Sequence, residues 1–216
     1  MIKKISATLS EKLILFFLLT LAVFILSFTV IIKNKCLFVK DFDPQKINFD
    51  KPENIVVLNV ECGNVIIELY PEVSPKAVKR FRTLIKSNSY DNVAFHRVIK
   101  DKLVQAGDLK FGKKDKLDYK KIGTGKSGLG TINSEIDAGF NFEKGSVGLA
   151  RTLKYNTEDS QFFIILDDEP LFEGEYTPIG KVIYGIKILE KIKYSRRSEY
   201  VLRPDFINTI RMYRIN

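Results

Sequence analysis

The sequence predicts a mainly β fold, an antiparallel barrel capped by helices, standing behind a single membrane-spanning helix. Three observations predict it. Leu13 to Ile32 is an apolar run without charge, Gly or Pro; from Ile55 onward, short apolar alternations recur between Gly- and Asp-rich turns; and only two stretches of that region carry helical spacing. Strand follows strand with no helix between most of them, a pattern of barrels and not of alternating βαβ sheets.

The elements follow in chain order. Residues 1–12 form a short charged N-terminus, with Lys3, Lys4 and Lys12 against Glu11. Residues 13–32 are long enough, at about 1.5 Å per residue, to cross the roughly 30 Å hydrocarbon layer of a bilayer. The run is longer than the apolar core of a cleaved signal and ends in Ser27-Phe28-Thr29-Val30-Ile31-Ile32 without a small-x-small site, so an uncleaved anchor is expected over a cleaved signal or a core helix. Lysines flank both ends, and the positive-inside rule gives only a lean toward a cytoplasmic N-terminus with the domain on the exported, periplasmic or luminal, side. Residues 33–53 lack periodicity and read as a tether, and Cys36 within them is expected to be a free thiol.

The folded domain spans residues 54–216. Val56, Leu58 and Val60 share one strand face, Cys62-Gly63-Asn64-Val65 turns the chain, and the segment to Leu69 returns as a hairpin partner. Ser74-Pro75 reads as an N-cap and first helical residue, with Ala77, Phe81, Leu84 and Ile85 on one buried face and an end near Ser87-Asn88. Further strands are expected at Ala94–Ile99, Leu103–Ala106, Ser146–Ala150, Gln161–Leu166, Pro178–Val182 and Phe206–Ile215, with a short second helix over Tyr184–Ile192.

Composition narrows the chemistry. One His and two Cys, Cys36 and Cys62, cannot supply a four-ligand Cys/His zinc site, so no metal is expected. Gly123-Thr124-Gly125-Lys126-Ser127-Gly128 matches G-x-G-x-x-G literally, but Leu117–Lys121 before it is no apolar strand and Gly128-Leu129-Gly130 breaks any helix after it. It reads as a flexible surface loop, and no nucleotide cofactor is expected. The net charge is +9, of which residues 1–32 carry +2, leaving +7 for the remainder. No DNA- or RNA-binding motif accompanies that charge, so no nucleic-acid partner is expected; a modest positive domain beside an anionic membrane gains surface attraction instead.

Five segments stand out in one order: Phe95-His96-Arg97-Val98-Ile99, Gln105-Ala106-Gly107-Asp108, Gly148-Leu149-Ala150-Arg151-Thr152, Ser160-Gln161-Phe162-Phe163-Ile164 and Pro178-Ile179-Gly180-Lys181-Val182. Together they resemble the cyclophilin-type peptidyl-prolyl isomerases, and the resemblance runs from near Ile55 to the end of the chain. It implies a cyclophilin-like closed eight-stranded antiparallel barrel capped by two helices. It also implies acceleration of X–Pro isomerisation in proline-containing polypeptide clients during folding, with no cofactor.

By the same resemblance Arg97 is the catalytic arginine, and Gln105 orients it or holds the carbonyl before proline. Phe163 is the floor of the proline slot, Leu103 and Phe172 its walls, with Phe95 and Gln161 beside it. Thr152 offers main-chain groups to an extended peptide, and Tyr176 stands at the rim where many members carry His. His96 is expected to be structural. Four departures bear on the site: Lys102 for Phe in the slot wall, Asp101 for Gly, Ala106 for Gly, and Leu171 for the aromatic that grips cyclosporin. Phe111 to Ile122 (FGKKDKLDYKKI) falls in a segment inserted relative to short members. The alternative reading is a membrane-tethered module that binds proline segments with little turnover; the Arg97, Gln105 and Phe163 set favours the isomerase, and the Lys102 and Asp101 departures keep the alternative open.

Overall fold

The structure is a computed structural model that describes residues 8–33, 35–137 and 139–214. Lys3 and Lys4 of the expected charged N-terminus lie outside them, as does Asn34 of the expected tether. The chain divides into two units, Met1–Phe38 and Val39–Asn216.

In the first unit, α1 runs from Leu9 to Lys33, one turn longer at its start than the apolar run. The extra turn has a local cause. Thr8 N–H donates to Glu11 Oε2 at 2.6 Å and Glu11 N–H reaches Thr8 Oγ1 at 3.4 Å, the reciprocal arrangement of a capping box. The described apolar side chains of this helix are exposed, and Leu9–Ile31 is long and apolar enough to cross a membrane.

The second unit is one eight-stranded antiparallel sheet. Its strands are β1 (Ile55–Val60), β2 (Gly63–Leu69), β3 (Arg97–Ile99), β4 (Leu103–Ala106), β5 (Ser146–Leu149), β6 (Phe162–Ile165), β7 (Thr177–Tyr184) and β8 (Thr209–Met212). They are ordered β3-β4-β6-β5-β7-β2-β1-β8. The strand number agrees with expectation, whereas closure does not: the ladder is curled but open between β3 and β8. Two isolated bridges cross that seam, Ala94 to Phe206 and Arg97 to Tyr200. The partner stretch carries Arg203 at φ 60 and Pro204, which has no N–H to donate, so a regular strand cannot form there.

Helix α2 (Pro75–Lys86) buries Ala77, Val78, Phe81, Leu84 and Ile85 against the sheet. Phe81 meets Phe162 edge-on at 5.1 Å and Tyr90 at 5.3 Å, and Tyr90 meets Phe162 at 5.5 Å. Burying a large apolar side chain of this kind contributes about 1.5–3 kcal/mol. Ser74 precedes the helix as expected, yet its hydroxyl donates to Pro178 O and caps nothing. The free N–H groups of the first turn go instead to Glu135, whose carboxylate accepts from Lys76 N at 3.1 Å and Ala77 N at 2.8 Å. The second barrel helix, α3, is a single turn, Ile186–Leu189.

Residues 41–49, within the stretch read as a tether, pack on the sheet despite their lack of periodicity. Asp41 Oδ1 accepts from Asn64 N at 2.9 Å, and Phe49 meets Tyr213 edge-on at 4.9 Å. The free thiol expected at Cys36 is corrected, because Cys36 and Cys62 are both disulfide-bonded.

Candidate active site

Strand register assembles the site. Arg97 on β3 is opposite Gln105 on β4, Gln105 is opposite Phe163 on β6, and Phe163 is opposite Gly148 on β5. Residues directly opposite in antiparallel strands project to the same face, so four distant segments deliver one row. β6 is buried on both faces: Phe162 points to the α2 cluster, while Phe163 packs edge-on against Phe172 at 5.3 Å and Tyr176 at 5.2 Å. Leu103 and Phe142 belong to the same apolar cluster, with Phe172 and Tyr176 at its half-buried edge.

The polar half of the row is a hydrogen-bond chain. Arg97 Nη1 donates to Gln105 Oε1 at 3.2 Å; Gln105 Nε2 donates to Gln161 Oε1 at 3.0 Å; Gln161 Nε2 donates to Gly123 O at 2.9 Å and Gly125 O at 3.0 Å. Arg97 is half-buried, and its other edge meets Glu199, with Nε and Nη2 both 2.7 Å from Oε2. Arg97, Gln105, Gln161, Thr152 and Tyr176 line a cleft of about 420 Å³, closed on one side by residues 123–126. A larger groove of about 780 Å³, between Gln45, Lys86 and Arg211, contains no member of the row.

The glycine loop is at the surface, as its composition suggests, but it is tied down from beneath. Asp108, fully buried, accepts Gly123 N at 2.7 Å and Gly125 N at 2.9 Å on Oδ2, and Lys110 N at 3.1 Å and Phe111 N at 2.7 Å on Oδ1. A Cβ at Gly125 would overlap the Asp108 carboxylate, which accounts for the glycine there. Both readings of the motif by composition missed this role, because the partner carboxylate is 17 residues away.

Other expected residues are placed less uniformly. Phe95, Leu103 and Phe163 are buried, and neither they nor the half-buried Phe172 lines the cleft, which the aromatic cluster reaches only through Tyr176. Thr152 N–H is already donated to Thr157 Oγ1 at 3.0 Å, and its carbonyl accepts Arg151 Nη1 at 3.1 Å, leaving one carbonyl lone pair. Lys102 turns outward: its ammonium meets Asp167 at 2.9 Å on the surface. Asp101 sits at φ 58, a left-handed backbone that explains the glycine at this position in the resembling family and that Asp tolerates better than most residues. Leu171 is 81% exposed. His96 is buried, and burial pushes its imidazole below the ordinary value, so it is neutral at pH 7; its ring stacks with Tyr200 at 6.4 Å.

Sequence reasoning missed Arg151 as a structural member of the cleft. Its guanidinium stacks on Tyr155 at 4.2 Å and Tyr176 at 4.8 Å and pairs with Glu175 at 2.8 Å. That stack braces the Tyr176 rim. Gly148, named within a motif, was likewise given no role, yet a Cβ there would lie 2.5 Å from the Phe163 ring and 3.1 Å from Phe142. The Phe163 ring is hemmed in by Phe142, Phe172 and Tyr176 and has nowhere to retreat. Gly148→Ala is expected to cost about 1–3 kcal/mol by overpacking. It should also weaken peptide binding, read by thermal unfolding and a peptide titration; an unchanged melting midpoint would show that the ring yields.

Comparison with known proteins places these features. The profile of the family described as cyclophilin type peptidyl-prolyl cis-trans isomerase/CLD matches residues 55–214. A probable peptidyl-prolyl cis-trans isomerase of Brucella suis is 42% identical over 159 residues, which is 72% of this chain and 81% of the relative. Peptidyl-prolyl cis-trans isomerase ppi1 of Schizosaccharomyces pombe is 33% identical over 141 residues, 63% of this chain and 83% of the relative. Among solved structures, a Cryptosporidium parvum cyclophilin type isomerase, crystallised in the presence of the dipeptide Ala-Pro, matches with a TM-score of 0.64 and 28% identity. That match covers 74% of this chain and 99% of the other. With its row of Arg97, Gln105 and Phe163 on an eight-stranded sheet, and with a family match over most of its length, this chain belongs to the cyclophilin-type peptidyl-prolyl cis-trans isomerases.

Proposed function

We propose that the domain isomerises X–Pro bonds of polypeptide clients with Arg97 as the donor to the prolyl nitrogen and the Phe163 slot as the proline site. The observation that carries this reading is the single row across β3, β4 and β6, which puts a cation and an aromatic cluster on one face of the sheet, with half-buried Phe172 and Tyr176 at the edge of that cluster. Rotation about X–Pro must overcome roughly 18–20 kcal/mol of lost amide resonance. At the twisted geometry the nitrogen lone pair localises and accepts a hydrogen bond that the planar amide cannot, so a fixed donor stabilises the transition state selectively. Gln105 is assigned the orienting role, because its carbonyl oxygen is engaged by Arg97 and its amide by Gln161. Leu103, Phe172 and Tyr176 wall the slot, and Gln161 and Thr152 flank it; Phe95 supports it from the core.

Lys102 points out to Asp167 on the surface, so its ammonium does not compete with a peptide for the aromatic cluster. The assay is cis-to-trans relaxation of a short X–Pro peptide by the full chain in detergent. Acceleration over buffer is expected; peptide binding without acceleration would replace this reading with the binding module.

α1 is proposed as an uncleaved single-pass anchor holding the domain on the exported side. Disulfide-bonded Cys36 and Cys62 support that side, since disulfides persist in oxidising compartments and are rare in the cytosol. In sealed inside-out vesicles, externally added protease should leave the domain intact. Its digestion there would reverse the orientation.

A further inference from the structure

We infer that Glu199 is a positioning residue for the isomerase reaction, acting through Arg97, and the inference rests on the role proposed above for that arginine. A guanidinium carries five N–H donors in a planar fork. Glu199 Oε2 takes the side-on edge, with Nε and Nη2 each at 2.7 Å, and Gln105 takes one donor of Nη1 at 3.2 Å. Even with one Nη2 donor counted to the ion pair with Glu199, two donors remain, one on each terminal nitrogen. Anchored on two sides by groups from different strands and loops, the plane of the fork is fixed and the unspent donors stay on its terminal nitrogens.

The need for a second anchor follows from exposure. The Arg97 side chain is 28% exposed and sits at the sheet's open seam, where β3 has no continuous ladder on its outer side. An arginine held only through Gln105 would pivot about that single bond. The seam bridge between Arg97 and Tyr200, with Val98 N–H donating to Glu199 O at 2.8 Å, places the Glu199 backbone beside Arg97. The carboxylate reaches it without disturbing the ladder. No motif carries Glu199: it lies 102 residues from its partner, in a segment with no periodic signal.

The carboxylate also balances charge. A bare guanidinium in the cleft would attract any anion, whereas a paired one keeps its field local to the two free donors. The consequence is an effect on the chemical step and little on ground-state peptide binding, because the Phe163 slot, not Arg97, holds the proline ring.

The test uses the full chain in detergent, with wild type, Arg97→Ala, Glu199→Ala and Glu199→Gln assayed on an uncharged X–Pro peptide. Glu199→Ala should lower kcat about tenfold with KM changed less than about twofold, the signature of a misplaced transition-state donor. Glu199→Gln, which keeps an acceptor oxygen of the same reach, should fall between Ala and wild type. The melting midpoint should not move, because an exposed pair contributes little stability. Wild-type kcat in Glu199→Ala, or a loss that tracks a lowered melting midpoint, overturns the inference. Equal rates in wild type and Arg97→Ala overturn the isomerase reading of Arg97 itself, and the two failures are told apart by that control.

Discussion

Arg97→Ala is expected to lower kcat/KM for an X–Pro peptide by about 10²–10³-fold, the range found when one preorganised donor to a developing charge is removed. The magnitude follows from differential binding. In the planar amide the nitrogen lone pair is delocalised and accepts nothing, so the hydrogen bond from Arg97 exists only near the twisted geometry. Its removal therefore acts on the barrier and not on affinity, and KM should hold. The fold should hold as well, since Arg97 is half-buried at an open seam, and the neighbours it leaves, Glu199 and Gln105, reach water or Gln161. Arg97→Lys is expected to recover little. An ammonium is a point donor and cannot satisfy Glu199, Gln105 and the prolyl nitrogen with a fixed plane. Circular dichroism and peptide titration would accompany the rate measurement. A variant that is folded, binds peptide and still isomerises at the wild-type rate would remove Arg97 from the mechanism.

What was legible in the sequence and what was not divides along chain distance. Period-2 and period-3.6 patterns located β1, β2, α2 and most later strands within a residue or two, because each strand's alternation and each helix's stripe is a local record of one buried face. Arg97, Gln105 and Phe163 were legible through motifs, and register then placed them side by side. Closure was not legible: Pro204 and the left-handed Arg203 interrupt the stretch before β8, so a seam expected as a ladder is held by two bridges. Equally hidden were the pairings of charged side chains with distant partners. Glu135 caps α2 from 58 residues away, while Ser74, the local cap candidate, spends its hydroxyl on Pro178. Lys102 stood in a slot-wall position by the family resemblance, yet its flexible stem let the ammonium follow Asp167. Local pattern fixes which face is buried; it does not say where a long polar side chain finds its counter-charge.

Asp108→Ala is expected to lower stability by about 3–4 kcal/mol and to reduce activity as well, although Asp108 touches neither the cleft nor any peptide in it. The stability loss is the cost of orphaned donors. Four backbone N–H groups converge on this one buried carboxylate, two on each oxygen, and a donor left unpaired in the interior costs about 1–3 kcal/mol, less where the loop can open to water. The activity loss follows by connection. Asp108 fixes Gly123 and Gly125, whose carbonyls hold the Gln161 amide, which holds Gln105, which holds Arg97. Releasing the loop frees the end of that chain. Asp108→Asn separates the electrostatics from the size: it is isosteric, but its NH₂ must face one of the two donor pairs, so at least two bonds become donor against donor. We expect it to be destabilised nearly as much as the alanine variant, with both unfolding early in thermal or urea melts of the full chain. Wild-type stability in Asp108→Asn would mean that only one oxygen is engaged. If the idle oxygen were Oδ2, which takes Gly123 and Gly125, the glycine loop would be held by Gln161 alone, and the wall of the cleft would owe its shape to the site and not to the buried carboxylate beneath it.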